Sequence, residues 1–361
     1  MNRSNGLLDR PSVENLTPMN NLSHRLCVAP MMDWTDRHCR YFLRLISRRV
    51  RLYTEMITSG ALMHGDVPHH LAFDPAEHPV GLQLGGSDPG LLAACAKLGE
   101  RWGYDEINLN CGCPSERVKT GSFGACLMSE PSIVAECVKA MCDSVSVPVT
   151  VKHRIGLDQG DEYGFVRDFV GTVASAGCNV FIVHARNAVL HGLSPKENRE
   201  VPPLRYDVVR RLTRDFPALT IVLNGGLSDW DAIEGELEHV DGVMLGRVAY
   251  HDPYFLAQAD WRVFGDGTPA PSRADVLHAL IPYVAEQLAR GVPLRAIARH
   301  VLGLYHGRSG GRRYRQILSD TVNLKDSGPE LFLKALAAVE PVDARADARD
   351  SFPCLQLDDV P

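Results

Sequence analysis

The residues best suited to chemistry lie between positions 108 and 128, where one cysteine follows an apolar run. Cys113 stands between a glycine and a proline, and the run before it predicts a short buried strand, so the thiol is expected at that strand's carboxyl end. Gly121 and Gly124 then bracket a segment flexible enough to close over a ligand. A small buried cysteine in a turn is the structural alternative. The clustered glycines, proline and amides favour a functional thiol.

Two amide side chains precede this cysteine on the same predicted strand. Asn108 and Asn110 alternate with Ile107 and Leu109, and the two-residue period of a strand puts both amides on one face. Each amide offers hydrogen-bond donors and an acceptor. Two amides that point the same way suit a planar heterocycle with carbonyl and N–H edges.

Short apolar runs alternate with stretches of helical periodicity from residue 25 to about residue 250. The helical stretches, such as 90–98 and 132–141, repeat their apolar residues every three or four positions. Strand and helix units of this number predict an α/β fold, a (β/α)8 TIM barrel over residues 24–262. An open doubly wound sheet is the alternative, but it usually carries a G-x-G-x-x-G turn after its first strand, where this chain has A-P-M-M-D. The eight runs are 26–29, 52–56, 80–84, 106–109, 147–152, 180–184, 219–224 and 242–245.

Polar residues follow these runs, where active sites lie in such barrels. The seventh run ends in Asn224, Gly225 and Gly226, and the eighth is followed by Gly246 and Arg247. Glycine lets backbone N–H groups approach an anion closely, and arginine adds a charged fork, so these two ends predict a phosphate site. A single polar residue at a strand end is commonly a solvated loop residue, but a complete ring of them favours a site.

Other strand ends complete a site for a phosphorylated planar cofactor. Lys152 supplies a cation that would stabilise negative charge on a reduced flavin ring. His184 can cap the phosphate or bind the ring, and Gln83 can bind a ring edge. Met31 and Met32 offer apolar surface to a ring face. FMN fits this set best.

A loop after the sixth run reads S-P-K-E-N-R and contains Lys196 and Arg199. Both cations would face the same mouth as Cys113 if the barrel is correct. An ordinary surface loop is the alternative for this segment.

A small all-helical domain is predicted for residues 275–335, after a hinge at 263–274 that is rich in glycine and proline. Seven arginines and no acidic residue lie between positions 287 and 319. The glycine-rich turn near Arg312 and Arg315 suits phosphate, with Tyr314 available for stacking on a base. A solvated helix face usually mixes charges of both signs, and helix-turn-helix reading of DNA lacks support here.

The bulk composition is ordinary for a soluble protein. The chain has 361 residues, 45% of them hydrophobic and 23% charged, with a net charge of −6. Its ten cysteines form no regular framework, which is typical of a reducing compartment. Residues 1–23 are a polar tail without the apolar core of a secretory signal, and residues 340–361 are a second tail. No run approaches the length of a membrane span, so a cytoplasmic protein is expected.

Together these motifs resemble those of the tRNA-dihydrouridine synthases, over about residues 24–325. Within that family, the S-P-K-E-N-R loop and the late R-R-Y-R resemble the bacterial A subfamily, which acts on uridines 20 and 20a of the tRNA D-loop. The matching motifs are A-P-M-M-D-W at 29–34, L-Q-L-G-G at 82–86, N-L-N-C-G-C-P-S at 108–115, G-A-C-L-M at 124–128, V-K-H-R-I-G at 151–156, V-H-A-R at 183–186, N-G-G at 224–226 and M-L-G-R at 244–247.

The resemblance implies roles for the matching residues. Reduced FMN, recharged by NADPH, would deliver hydride to C6 of a uracil ring while Cys113 donates a proton to C5. The target base would be flipped out of its stack, at a cost of a few kcal/mol that the arginines offset by gripping the backbone. The residues implied to hold FMN are Pro30, Met31, Met32, Gln83, Lys152, His184, Asn224, Gly225, Gly226, Gly246 and Arg247, and those implied to contact tRNA are Asn110, Lys196, Arg199, Arg312 and Arg315.

Two other functions remain open at the level of sequence. An FMN-dependent barrel oxidoreductase could act on a free pyrimidine or another small molecule, although it would not need the arginine-rich helical segment. A non-catalytic RNA-binding protein could use the same scaffold without a flavin. A metal site at Cys111, Cys113 and Cys126 is not expected, because their spacing is unusual for zinc or iron–sulfur ligands. The expected partners are tRNA and NADPH, with no DNA or membrane, and the expected state is a monomer.

Overall fold

The computed structural model describes residues 23–115, 123–158 and 163–339. Residues 1–22 and 340–361 lie outside this range. The predicted tails at 1–23 and 340–361 therefore lie outside the described residues except for Ser23, and so does Gly121 of the loop after Cys113.

Parallel strands form a barrel within the described range. The strands are β1 Leu26–Val28, β2 Leu52–Tyr53, β3 Ile57–Thr58, β4 Val80–Gly85, β5 Glu106–Cys111, β6 Val149–Arg154, β7 Val180–His184, β8 Thr220–Asn224 and β9 Gly242–Leu245. They are hydrogen-bonded in the order β1-β9-β8-β7-β6-β5-β4-β2. Cys27 of β1 bridges Arg51 just before β2, and the N–H of Val28 donates to the carbonyl of Arg51 at 2.9 Å, which closes the ring. The predicted (β/α)8 barrel is confirmed.

The second predicted strand is divided in the structure. The run 52–56 contains β2, and a separate short strand, β3, begins at Ile57; both pair with β4. Thr54 lies at the break, where its hydroxyl accepts from the N–H of Gln83 at 3.0 Å in place of a backbone carbonyl. This side chain therefore interrupts the ladder beside a residue of the candidate site.

Helices surround the barrel and continue beyond it. Those of the barrel region are Arg37–Ile46, Ser59–His64, Val67–Leu71, Pro89–Arg101, Pro131–Cys142, Tyr163–Ala174, Tyr206–Asp215, Trp230–Leu237, Arg247–His251 and Ala259–Phe264. The helices that follow, here called the C-terminal helices, are Arg273–Ala289, Leu294–Val301, Gly311–Ser319, Thr321–Asp326 and Glu330–Ala337. The expectation of helical structure at the C-terminal end is confirmed.

A buried charge network lies inside the barrel near the start of β5. Glu106 is fully buried and lies 3.2 Å from Nη1 of Arg51 and 2.8 Å from Nε2 of His24. The hydroxyl of Tyr53 donates to the same carboxylate at 2.9 Å. A buried carboxylate of this kind needs such partners, because desolvation of an unpaired charge is very unfavourable.

The C-terminal helices pack on the first helix of the barrel. Tyr283 stacks on Tyr41 with ring centroids 3.9 Å apart, and its hydroxyl bonds Nδ1 of His38 at 2.7 Å. Ser272 and Asp275 form a capping box that starts the helix carrying Tyr283. The contact fixes this helix against the segment that follows β1.

Two structural features are absent from the described part of the chain. No helix there is long and apolar enough to cross a membrane. No group of three or more His, Cys, Asp or Glu side chains there is arranged to hold a metal ion.

Candidate active site

A chain of amides lines the barrel interior below the strand ends. Nε2 of Gln83 donates to Oδ1 of Asn108 at 2.7 Å, and Nδ2 of Asn110 donates to Oε1 of Gln83 at 2.9 Å. Nδ2 of Asn108 continues the chain to the hydroxyl of Thr150 at 2.8 Å. The two asparagines therefore lie on one face of β5, as the sequence predicts. Their shared contact with Gln83 fixes all three amides.

The Cys113 loop, residues 111–115, is held by the strand from which it emerges. Oδ1 of Asn110 accepts from the N–H groups of Gly112 and Cys113 at 3.1 and 3.0 Å. The Cys113 carbonyl accepts from the N–H of Ala125 at 3.0 Å, which ties the two ends of the intervening segment together. Cys113 is partly exposed, and its Sγ donates to the hydroxyl of Ser115 at 3.4 Å. The cysteine is thus positioned by backbone contacts and keeps part of its surface exposed.

Lys152 and Asn224 meet across the barrel mouth. Nζ of Lys152 donates to Oδ1 of Asn224 at 3.0 Å, and Nδ2 of Asn224 donates to the carbonyl of Met244 at 2.8 Å. Burial and the charge of the neighbouring Arg154 together lower the pKa of Lys152 to about 7, while Cys113 opposes the change. This ammonium group is therefore poised to gain from an anion placed beside it.

His184 lies next to these cations and is kept neutral. Burial lowers its pKa well below the ordinary range, and the charges of Arg154, Lys152 and Arg186 act in the same direction. A neutral imidazole can donate or accept one hydrogen bond without adding charge.

The turn after β8 has a backbone shape that favours glycine. Gly225 and Gly226 have φ values of 117° and 75°. A Cβ atom on Gly225 would lie 2.7 Å from Cδ2 of His184, and one on Gly226 would lie 2.4 Å from Cδ1 of Leu204. Side chains are therefore excluded at both positions, because His184 and Leu204 pack closely against this turn.

The turn after β9 supplies the other part of the predicted phosphate site. Gly246 immediately precedes the short helix Arg247–His251. Arg247 is exposed, and its Nη1 lies 2.6 Å from Oε1 of Glu200. The arginine thus reaches across to the loop that follows β7.

The β1 loop, residues 29–36, carries the predicted apolar contacts. The N–H of Met31 donates to the hydroxyl of Thr35 at 2.9 Å, which closes a tight turn over residues 31–35, directly after Pro30. Met31 is partly buried, whereas Met32 is 51% exposed. An exposed methionine beside the mouth provides apolar surface for a planar ring.

Arg154 is a buried residue of the site to which sequence reasoning gave no role. Its Nε donates to the carbonyl of Gly112 at 3.2 Å, and its Nη1 donates to those of Asn187 and Asn198 at 3.0 and 2.8 Å. Burial lowers its pKa to about 10, so it stays charged at neutral pH. The alternation of V-K-H-R could have identified it, because Arg154 follows Lys152 by two residues while His153 points away against Phe169 and Phe181.

The S-P-K-E-N-R loop reaches the same mouth. Asn198 is fully buried and its amide binds backbone groups of the loop, including the carbonyl of Val189 at 2.9 Å. Lys196 and Arg199 are exposed. Partial desolvation of its guanidinium and the charge of Arg247 lower the pKa of Arg199, and Cys113 opposes them.

The arginines of the C-terminal helices fall into two groups. Arg290 pairs with Glu286 and Arg299 pairs with Asp36, both at 2.6 Å. Arg312 and Arg315 are exposed on the helix Gly311–Ser319 and make no ion pair with another described residue. The second group is therefore available to an external anion.

The expectation that Tyr314 stacks on a base is wrong. Its side chain is fully buried, and its hydroxyl donates to the carbonyl of Val301 at 3.2 Å. Helical spacing turns this residue inward, between flanking arginines that face solvent. Its role is to anchor the helix.

The charge at the barrel mouth suits an anionic, phosphorylated ligand. Five basic residues stand at the ends of neighbouring strands: Lys152 and Arg154 on β6, Arg186 and Arg199 after β7, and Arg247 after β9. Glu200 is the acidic group paired with one of them. An anionic ligand would balance this excess, and the glycine turn after β8 offers backbone amides to a phosphate.

Comparison with known proteins identifies relatives over most of the chain. The protein is 58% identical over 301 residues to the tRNA-dihydrouridine(20/20a) synthase of Pseudomonas putida, covering 83% of this chain and 90% of the relative. It is 56% identical to the enzyme of that name from Xanthomonas campestris, covering 87% and 93%, and 54% identical to that from Synechocystis, covering 87% and 94%.

A solved structure and a family model complete the comparison. A 2-naphthoyl-CoA reductase complex aligns with a TM-score of 0.49 and 11% identity, covering 65% of this chain and 49% of that one, and carries no weight for function. The family model described as dihydrouridine synthase matches residues 27–340. The chain therefore belongs to the dihydrouridine synthase family.

Proposed function

We propose that this protein is a flavin-dependent tRNA-dihydrouridine synthase that reduces the C5=C6 bond of uridines 20 and 20a in the D-loop, with NADPH as reductant. The observation that carries the proposal is the position of the Cys113 loop at the barrel mouth, where Arg154 joins it to the S-P-K-E-N-R loop. The relatives' shared name supplies the substrate and its positions. Residues 24–262 would form the catalytic domain and residues 275–335 the tRNA-binding domain.

FMN, when bound, would supply the hydride that adds to C6 of the uracil ring. Lys152, His184, Asn224 and Gln83 would hold its ring. The hydrogen bond from Lys152 to Asn224 and the one from Gln83 to Asn108 support fixed positions for these polar groups. Gly225, Gly226, Gly246 and Arg247 would hold its phosphate, while Pro30, Met31 and Met32 would contact its ring face. Each of these assignments remains a prediction.

Cys113 would donate the proton that completes the reduction. The C5=C6 bond gains one hydride and one proton, so the thiol becomes a thiolate that solvent reprotonates. Asn110 and Arg154 hold the two ends of one peptide unit, because Oδ1 of Asn110 accepts from the N–H of Cys113 and Nε of Arg154 donates to the carbonyl of Gly112. This supports a fixed direction of proton delivery. Asn110 is also predicted to contact tRNA, although its amide is already engaged with Gln83 and the Cys113 loop.

Exposed cations support an RNA rather than a free pyrimidine as substrate. Lys196 and Arg199 lie at the mouth, and Arg312 and Arg315 lie on the C-terminal helices, all predicted to contact tRNA. A uridine inside folded tRNA must leave its stack to reach Cys113, and phosphate contacts offset the few kcal/mol that this requires. A free pyrimidine would not need them.

An anaerobic assay with NADPH and unmodified tRNA tests the proposal. The flavin spectrum should show reduction by NADPH and reoxidation by tRNA, and mass mapping should locate a gain of two hydrogens in the D-loop. Cys113→Ala should keep bound flavin and tRNA affinity but lose most product. Full activity of that variant would contradict the role of the thiol, and a reduced flavin that tRNA cannot reoxidise would favour a small-molecule oxidoreductase.

A further inference from the structure

Asp36 ends the β1 loop and binds the C-terminal helices directly. Its Oδ1 accepts from the N–H groups of His38 and Cys39 at 2.9 and 3.0 Å, which caps the helix Arg37–Ile46. Its Oδ2 accepts from Nη2 of Arg299 at 2.6 Å and lies 2.9 Å from Nε2 of His300. One carboxylate thus uses one oxygen for its own helix and the other for a distant one.

The contact is buried on the histidine side. The side chain of His300 is completely buried, between Asp36 and the hydroxyl of Tyr250, which lies 3.3 Å from its Nδ1. Burial raises the pKa of Asp36, but hydrogen bonds from His300 and Arg299 outweigh this and hold the pKa well below its usual range. The carboxylate therefore stays ionised at neutral pH.

Tyr250 brings a second predicted ligand segment to the same point. It belongs to the helix Arg247–His251, which follows Gly246. Its ring stacks on Trp34 of the β1 loop with centroids 4.5 Å apart and planes 7° apart. The β1 loop and the turn after β9, assigned above to opposite ends of FMN, therefore meet at His300.

The same histidine is close to the predicted RNA-binding helix. His300 is followed by Val301, whose carbonyl accepts from the buried hydroxyl of Tyr314 at 3.2 Å. Tyr314 lies between Arg312 and Arg315 in the sequence of the helix Gly311–Ser319. A short series of buried contacts thus connects the exposed arginines to the β1 loop.

We infer that Asp36 is a positioning residue that fixes the C-terminal helices relative to the β1 loop and thereby sets which uridine reaches Cys113. The inference rests on the proposed function. An RNA held by Arg312 and Arg315 presents its target at a place determined by how those helices are oriented. Because Asp36 joins them to the β1 loop by charged hydrogen bonds, a loosened contact would let neighbouring uridines compete.

The sharpest variant is Asp36→Asn. Asparagine caps a helix about as well as aspartate, so the helix start is preserved. The Nδ2 group that replaces Oδ2 is a donor and would face the Nη2 donor of Arg299, so the charged hydrogen bond between the two helices is broken while the cap is kept. Asp88→Asn is the matched control, because Asp88 caps the helix Pro89–Arg101 through the N–H of Leu91 and makes no ion pair with another described residue.

The experiment maps dihydrouridine by mass in tRNA treated with each protein. Asp36→Asn should lower the ratio of product at the wild-type position to product at other uridines by about fivefold or more, a range typical of coupling between sites. Flavin content and the rate of flavin reduction by NADPH should stay at wild-type values, and Asp88→Asn should match wild type throughout.

An unchanged product distribution in Asp36→Asn would overturn the inference, whether or not the overall rate falls. If that variant does not fold, Tyr250→Phe tests the inference instead. It removes the hydroxyl that faces His300 but keeps the ring stacked on Trp34. It should shift the product distribution in the same direction. A wild-type protein that makes no dihydrouridine would instead reject the proposed function itself, before any variant is compared.

Discussion

Arg154 donates to the carbonyl of Asn198 at 2.8 Å while its Nε donates to the carbonyl of Gly112 at 3.2 Å. One buried guanidinium thereby joins the Cys113 loop to the S-P-K-E-N-R loop, which carries two cations predicted to bind tRNA. No carboxylate among the described residues pairs with it. Carbonyl oxygens accept its hydrogen bonds but do not neutralise its charge, so the site stays electropositive.

Replacing Arg154 by lysine should disturb both loops without removing the charge. Lysine cannot place donors in the planar fork that reaches Gly112 and Asn198 together. A displacement of the thiol by about 1 Å is expected to lower kcat about 100-fold. The rate at which iodoacetamide modifies Cys113, read from its peptide, should change as well, because the loop is no longer fixed.

Arg167→Lys is the control for this prediction. Arg167 lies on the outer helix Tyr163–Ala174 and forms an exposed pair with Asp168 at 2.7 Å. That exchange should leave both kcat and thiol modification unchanged. Equal effects of the two exchanges, or wild-type values for Arg154→Lys, would show that Arg154 does not position the loop.

The barrel could be predicted from sequence because its signals are local and repeated. An apolar run in the sequence predicts each strand, and chain order indicates which parallel strands are neighbours. Lys152, Asn224 and Gln83 could be placed at one mouth for the same reason. Lys152 contacts Asn224 directly and Gln83 contacts Asn108 on the neighbouring strand, although the roles assigned to these residues remain predictions.

Contacts between distant segments could not be predicted in this way. The pairing of Asp36 with Arg299 and His300 joins residues 263 and 264 positions apart, and no periodicity relates them. Tyr314 shows a related limit, because the sequence identifies an aromatic residue among arginines but not the helix face on which it lies. Packing against Val301 decides that face.

The glycine turn after β8 should be intolerant of a side chain. Gly226→Ala would place a Cβ atom 2.4 Å from Leu204 and force alanine to adopt a φ of 75°. The strain is expected to cost about 1–2 kcal/mol and to reduce the flavin retained per chain. Thermal unfolding and the ratio of flavin to protein absorbance measure the two effects.

Two further variants separate steric from backbone strain at that turn. Leu204→Ala in the Gly226→Ala background should recover part of the stability, since it removes the steric clash but leaves the positive φ. Gly235→Ala is the control, because Gly235 lies within the helix Trp230–Leu237 with nothing within 4 Å of an added Cβ. Alanine should stabilise that helix by about 0.5–1 kcal/mol. Normal flavin content in Gly226→Ala would argue against a phosphate at this turn.

The buried Glu106 network predicts a pH-dependent contribution to stability. Burial raises the pKa of Glu106, but the charges and hydrogen bonds of His24, Arg51 and Thr150 outweigh this and lower it to about 2. A depressed carboxyl pKa stabilises the folded state above the pKa of the unfolded chain, about 4.5, and this stabilisation disappears as pH falls towards 2.

Glu106→Gln should therefore be destabilised by about 3–5 kcal/mol at pH 7, because Arg51 loses its buried partner. The difference from wild type should shrink as pH falls through 4.5, and urea unfolding across that range measures it. The control is Glu234→Gln, which removes an exposed pair with Arg262 and should cost less than about 1 kcal/mol. A difference independent of pH would show that the charge of Glu106 is not responsible.

Arg312 and Arg315 should control the salt dependence of RNA binding. Each phosphate contact releases counterions, so removing one lowers the slope of log affinity against log salt by about 1. Arg312→Gln with Arg315→Gln should lower the slope for tRNA by nearly 2 and raise KM, while flavin reduction by NADPH stays unchanged because it does not involve RNA. Arg313→Gln is the comparison on the same helix, since the side chain of Arg313 already donates to Gln316 at 3.1 Å. If Arg313→Gln has as large an effect as a change at Arg312 or Arg315, the whole helix face, and not these two arginines, contacts the RNA backbone. An unchanged salt slope in the double variant would place the RNA elsewhere.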